Sequence, residues 1–300
     1  MNKISKIKIL GLLLIMFCSF AKALRIENNK IVDNYNNSIE MKEYKKIIVM
    51  DPAIVEIFYL LEAEESITAI ANVTMSKIYP YDKTKDLPSV GTLTNPSIEK
   101  IVSFEPDLVI INPMATSLAD NIKNLNIPVV VSMANNIEEI FQNIKVSGIL
   151  TGRTKNADII SNKYKEKLDN LQNKYKNKSK IKGMLIFSTS PMMTFQKNTM
   201  PMEVFDILRI ENIANDLQGQ RPIISTEMVL EYDPDFIAGA MSISNVDSIK
   251  NANEVIKKTK AYKNNNIFIV DSTKILRGSP RIFEAMDEFA KEIENIERAK

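Results

Sequence analysis

The stretch NPSIEKIVSFEPDLV, residues 95–109, decides the fold, because STEMVLEYDPDFI repeats its plan over residues 225–237. Each carries a glutamate, Glu99 or Glu227, seven positions before a Pro-Asp pair. A cap residue opens a short helix in each, Asn95 in the first and Ser225 in the second. Pro106-Asp107 and Pro234-Asp235 close it, since proline cannot donate into a helix, and an apolar run then enters a strand. Pro-Asp before a buried strand is common, so coincidence is the competing reading, and the rest of the chain weighs against it. The pattern predicts two similar α/β lobes, each presenting one acid at the same place.

Working outward, strand and helix alternate. Ile47–Met50 reads as a short buried strand, and Asp51-Pro52 caps a helix whose apolar face is Ile54, Ile57, Phe58 and Leu61. Ile67–Ala71 is a second strand, followed by a loop with Tyr79-Pro80-Tyr81. Val90-Gly91-Thr92-Leu93-Thr94 leads into the first repeat. Leu108–Ile111 and Val129–Ser132 are further strands, with helices around Leu118–Leu125 and Ile137–Leu150. Such alternation implies a largely parallel sheet covered on both faces. The second lobe restarts at Gly183–Phe187 and passes a loop over Ser188–Met200 to a helix with Val204, Phe205 and Leu208 inside. Strands Phe236–Ala240 and Ile267–Val270 follow, then a final helix from Pro280 with Ile282, Met286, Phe289 and Ile293 on one face.

Between the lobes, Ile160, Tyr164, Leu168, Leu171 and Tyr175 form an apolar seam with no glycine or proline. A helix of about 19 residues here spans about 28 Å, enough to join two domains. The expected organisation is a signal peptide over 1–23, a lead-in over 24–43, an N-terminal lobe over 44–153, a connecting helix over 154–178 and a C-terminal lobe over 179–300. The fold class is α/β, two Rossmann-like lobes with largely parallel sheets joined by one long helix.

Composition suits a globular protein, with 45% hydrophobic and 25% charged residues. Histidine is absent, which excludes Ser-His and Cys-His catalytic units and imidazole metal ligands. Lys3, Lys6 and Lys8 precede the apolar run Ile9–Ala21, and Ala21-Lys22-Ala23 supplies small residues for cleavage after Ala23. The only cysteine, Cys18, follows Phe17, where a lipoprotein signal places a small residue; this disfavours a lipid anchor. Loss of the leader leaves 35 Lys and Arg against 37 Asp and Glu, a formal charge of −2. Nothing points to nucleic acid.

A family resemblance extends over nearly the whole mature chain. It is carried in order by Val49-Met50-Asp51-Pro52 with Glu56 and Leu60-Leu61, Leu87-Pro88-Ser89-Val90-Gly91, and Asn95-Pro96-Ser97-Ile98-Glu99. Glu105-Pro106-Asp107-Leu108-Val109-Ile110, Ser225-Thr226-Glu227 and Ser279-Pro280-Arg281 complete it. The chain resembles the periplasmic substrate-binding component of ABC importers for iron-siderophore, haem and cobalamin. The resemblance implies two lobes joined by a rigid helix and a ligand held in the cleft. It also implies one glutamate per lobe, here Glu99 and Glu227, docking on arginines of an inner-membrane permease. A monomer that makes and breaks no bond, holds no cofactor or metal of its own and carries a small-molecule metal chelate, first of all an iron-siderophore, is the expected function. Haem, cobalamin and a nickel or cobalt chelate are rivals. A cofactor-handling enzyme or chelatase is the alternative of another class, with Asp51, Tyr79, Tyr81 and Lys274 as its only candidates.

In such a fold the ligand meets loops at strand ends. The expected contacts are Asp51, Tyr79, Tyr81, Thr94, Met114, Met192, Gln196, Arg221, Met241 and Arg277. Guanidinium groups suit an anionic chelate, tyrosines suit stacking or ligation, and methionines form an adaptable apolar wall. Core packing is the competing reading for the methionines, and plain surface placement for the arginines.

Overall fold

The computed structural model describes residues 23–74, 76–219 and 221–299. The expected leader up to Lys22, with Cys18, and the loop residues Met75 and Gln220 lie outside the described residues. The lead-in forms a three-stranded antiparallel sheet: β1 (Arg25–Glu27), β2 (Lys30–Val32) and β3 (Ser38–Glu40). Asp33 ties it down, accepting from the backbone N–H of Tyr35, Asn37 and, at 2.7 Å, Val131.

The second sheet contains β4 (Ile47–Val49), β5 (Ile67–Asn72), β6 (Ser89–Thr92), β7 (Leu108–Ile111) and β8 (Val129–Val131), in the order β6-β5-β4-β7-β8. Every pairing in it is parallel. The third contains β9 (Ile181–Thr189), β10 (Met192–Thr194), β11 (Ile210–Asn212), β12 (Phe236–Gly239) and β13 (Ile267–Ile269). Its order is β10-β9-β12-β13, with β11 also on β9. All its pairings are parallel except the β9–β10 hairpin, which occupies part of the expected Ser188–Met200 loop.

Alternation along the strands sorts the core into three clusters. Ile47 and Val49, Leu108 and Ile110, and Phe236 and Ala238 face one cluster that is continuous from the first large sheet to the second. Ile48, Val109 and Ile111 face a cluster confined to the first sheet, and Met184, Ile186 and Ile237 face one confined to the second.

The helix Thr154–Tyr175 runs 22 residues, about 33 Å at the standard rise. Leu171 and Tyr175 are buried in the continuous cluster, with Ile160, Tyr164 and Leu168 packed against it. On its polar side Lys167 and Lys174, and just beyond its end Lys178, pair with Asp287, Glu294 and Glu297 of the final helix Ile282–Ala299, at 2.5–2.6 Å. The partners in all three pairs are about 120 residues apart, so the two helices run parallel, side by side.

The first repeat corrects one expectation. Its helix is Ile98–Ser103 and its cap is Ser97, whose hydroxyl accepts from Lys100 N–H, not Asn95. Asn95 precedes a proline, which disfavours helical backbone, and Pro96 instead bridges Gly91. Gly91 sits at φ +116°, and a Cβ there would lie 2.8 Å from the Asn95 carbonyl oxygen.

Candidate functional site

Both parallel sheets direct their strand C-termini to loops that hold most of the expected contacts. The loop after β5 exposes Tyr79 (51%) and Tyr81 (44%), that after β7 exposes Met114 (65%), and that after β12 exposes Met241 (55%). A single exposed apolar side chain is ordinary, but several on the loops at strand C-termini mark a candidate binding rim. Met241 is held at φ +56°, a left-handed backbone that methionine rarely adopts, by donation of its N–H to the Ser272 hydroxyl at 2.6 Å. Thr94 and Arg221 are exposed on their loops, and Gln196 is half-buried. Ile223, two residues from Arg221, is 60% exposed; its place after a run of turn residues gave no sequence signal.

Three expected contacts lie elsewhere. Met192 is 6% exposed and packs inside the cluster private to the second large sheet. Asp51 caps the helix Pro52–Leu60 by accepting from Ala53 N–H, and it also accepts from the Ser132 hydroxyl at 2.5 Å. Burial pushes its carboxyl above the usual aspartate range. Arg277 reaches across to the first lobe. Its guanidinium donates to Glu56 Oε1 at 2.6 Å, to the Lys77 carbonyl at 2.7 Å and to the Ser76 hydroxyl at 3.0 Å.

That reach builds a polar lock between the lobes. Glu56 lies on the buried face of its helix, and its second oxygen accepts from the Ser279 hydroxyl at 2.6 Å. Burial raises the Glu56 pKa, and Arg277 pulls against it. Arg281 lies 4.6 Å over the Tyr79 ring and 3.8 Å from Glu56. A recess of about 400 Å³ opens beside the lock, lined by Tyr59, Tyr79, Lys83, Tyr164 and Arg281 among others. A second link runs the other way: Ile137 N–H donates to Glu203 Oε2 at 2.8 Å. The Glu56 role was missed in the sequence, although one acid among Ile54, Val55, Ile57 and Phe58 demands a partner.

The two repeated turns match residue by residue. Ser97 and Ser225 cap at the same 3.2 Å, and Ile101 and Val229 are each 0% exposed. Glu105 and Asp233 sit at φ +47° and +46° before the prolines. Asp107 accepts from Lys45 and Lys46 N–H, and Asp235 from Lys182 N–H, so each hooks its turn to the lobe's central strand. Glu99 and Glu227 are both exposed in the first turn of their helices. Among the described residues neither has a Lys or Arg within 4.0 Å, although the turn acids Glu105 and Asp233 pair with Lys46 (3.7 Å) and Lys260 (3.2 Å).

A family model described as periplasmic binding protein matches residues 47–273, from β4 past β13, so the chain belongs to that family. The chain is 29% identical over 278 residues to the ABC transporter substrate-binding lipoprotein YvrC of Bacillus subtilis, covering 88% of this chain and 84% of that one. It is 23% identical over 260 residues to a vitamin B12-binding protein of Vibrio parahaemolyticus, covering 85% and 92%. Among solved structures, a possible iron-binding (periplasmic solute-binding) protein from Staphylococcus epidermidis superposes with a TM-score of 0.73 at 26% identity, over 84% of this chain and 99% of that one. The family consists of substrate-binding proteins of ABC transporters and not of enzymes, which sets aside the chelatase reading. Lys274, a candidate of that reading, is paired with Glu284 and Glu288.

Proposed function

We propose that this protein captures a metal chelate, first of all an iron-siderophore, between its lobes outside the cell membrane and delivers it to an ABC permease. The observation that carries the reading is the pair of matched, cation-free acids, Glu99 and Glu227, one on each lobe of a chain that belongs to a substrate-binding family. The exposed Tyr79, Tyr81, Met114 and Met241 supply an apolar, polarisable rim for the ligand, with Thr94, Gln196 and Arg221 as polar contacts. Arg277 is committed to the lock and drops out of the ligand contacts. Cleavage after Ala23 starts the mature chain at Leu24, whose side chain is buried at 1%.

A corrinoid ligand is the second reading, favoured by the B12-binding relatives. Titrating the purified mature protein with a ferric hydroxamate, haemin and cobalamin, followed by tyrosine fluorescence and visible absorbance, separates the two. Reversing Glu99 and Glu227 to Arg is expected to abolish uptake at unchanged ligand affinity; undiminished uptake removes the docking role.

A further inference from the structure

Val102 and Leu230 are two large aliphatic side chains left in water, 42% and 44% exposed, and they occupy the same position in the two matched turns. Each lies three residues after its glutamate, so acid and aliphatic group are neighbours on one helix face. The preceding residues Ile101 and Val229 are buried in the cluster private to each sheet. The next positions are Ser103 and Glu231, both exposed, so polar residues are accommodated at the outer surface of these turns. Packing within the lobe gives no reason for an aliphatic residue at this register, and the arrangement occurs twice.

Charge says what covers these patches. The two glutamates beside them lack a cation, and hydrogen bonds from its own N–H and from the Ser225 and Thr226 hydroxyls hold the Glu227 carboxyl below the usual range. A surface with one carboxylate and one aliphatic group per lobe repels anionic lipid and fits a protein surface that sets cationic side chains beside apolar ground. The geometry points to Val102 and Leu230 as the apolar halves of two docking feet, each seated on apolar permease surface next to the cation that takes Glu99 or Glu227. This rests on the importer reading above.

The test uses the full mature chain and permease–ATPase complexes of the source organism in lipid nanodiscs, working with the complex whose ATPase rate this protein raises. Val102→Ser or Leu230→Gln is expected to weaken docking about fivefold, and the pair about twentyfold, from the aliphatic area left wet. Melting temperature stays unchanged, and Val102→Leu restores binding. The control is Leu125→Gln, which changes a 46% exposed residue outside both turns and leaves docking as it was. Docking unaffected by the pair, while Glu99→Gln with Glu227→Gln weakens it, overturns this inference and leaves the importer reading intact. Docking indifferent to all four residues overturns the importer reading as well. A self-associating chain that the aliphatic pair of substitutions renders monomeric assigns the patches to a second copy and overturns the permease contact.

Discussion

Residues 97–111 and 225–239 build the same object from different side chains. Serine cap, inward aliphatic residue, left-handed residue before proline and the aspartate hooked to the central strand recur at equal spacing. The differences lie outside: Lys100 and Ser103 in the first turn become Met228 and Glu231 in the second. The first helix therefore carries one acid and one lysine, Glu99 and Lys100, while the second carries two acids, Glu227 and Glu231. Scaffold positions are fixed by burial and hydrogen bonding in each lobe, whereas the outer positions answer to whatever the lobe meets. The surrounding sheets differ too, since the first large sheet is wholly parallel and the second ends in a hairpin.

The largest departure from lobe-by-lobe equality is at the seam, where Arg277 of the second lobe neutralises Glu56 of the first. Both side chains are nearly dry, at 9% and 2% exposure. Arg277→Ala strands a buried carboxylate, and denaturant unfolding is expected to show a loss of about 3–5 kcal/mol. A loss below about 1 kcal/mol would mean that the lobes hold together without the lock. The paired caps come next. Ser97→Ala and Ser225→Ala should each cost about 1 kcal/mol and agree to within a few tenths, because cap geometry is the same in both turns. Unequal losses measured by the same denaturant series would break the equivalence.

Titration gives the smallest effect and divides the molecule differently. Burial raises the pKa of Asp51 inside the first lobe and of Glu56 and Glu203 at the lobe contact, whereas Glu227, Asp233, Asp271 and Glu294, all in the second half, are held low by hydrogen bonds and nearby cations. A raised carboxyl binds its proton more readily folded than unfolded, so those three add stability as pH falls from neutral towards their ordinary values. The lowered group gives it back as pH falls below about 4. Melting temperature is expected to rise as pH falls from neutral and to fall again in stronger acid, with no histidine to reverse the trend. A monotonic fall from pH 7 to 5 would contradict it, and Asp51→Asn should flatten the upper limb.

Much of this was legible before any coordinates. Leu108–Ile111 is an unbroken apolar run because a parallel strand is buried on both faces, and such runs stand out. The apolar seam from Ile160 to Tyr175 was equally plain, being periodic over about four turns. The lead-in sheet was not, since strands of three residues alternate too briefly to register against Asn-rich turns. Of the candidate site, the exposed placement of Glu99 and Glu227 was legible from their repeat, and that of Tyr79, Met114 and Met241 from their position after strands. The engagement of Arg277 was hidden because its partner Glu56 lies 221 residues away, and local sequence carries no trace of so distant a neighbour.

The parts that set the lobe spacing are gathered at the end of the chain. Arg277 and Ser279 close the seam, and Asp287, Glu294 and Glu297 grip the long helix. Both large sheets are complete in sequence by Ile269, ahead of every one of these residues. A chain ending before Arg277 would keep both large sheets but lose the seam and the grip together.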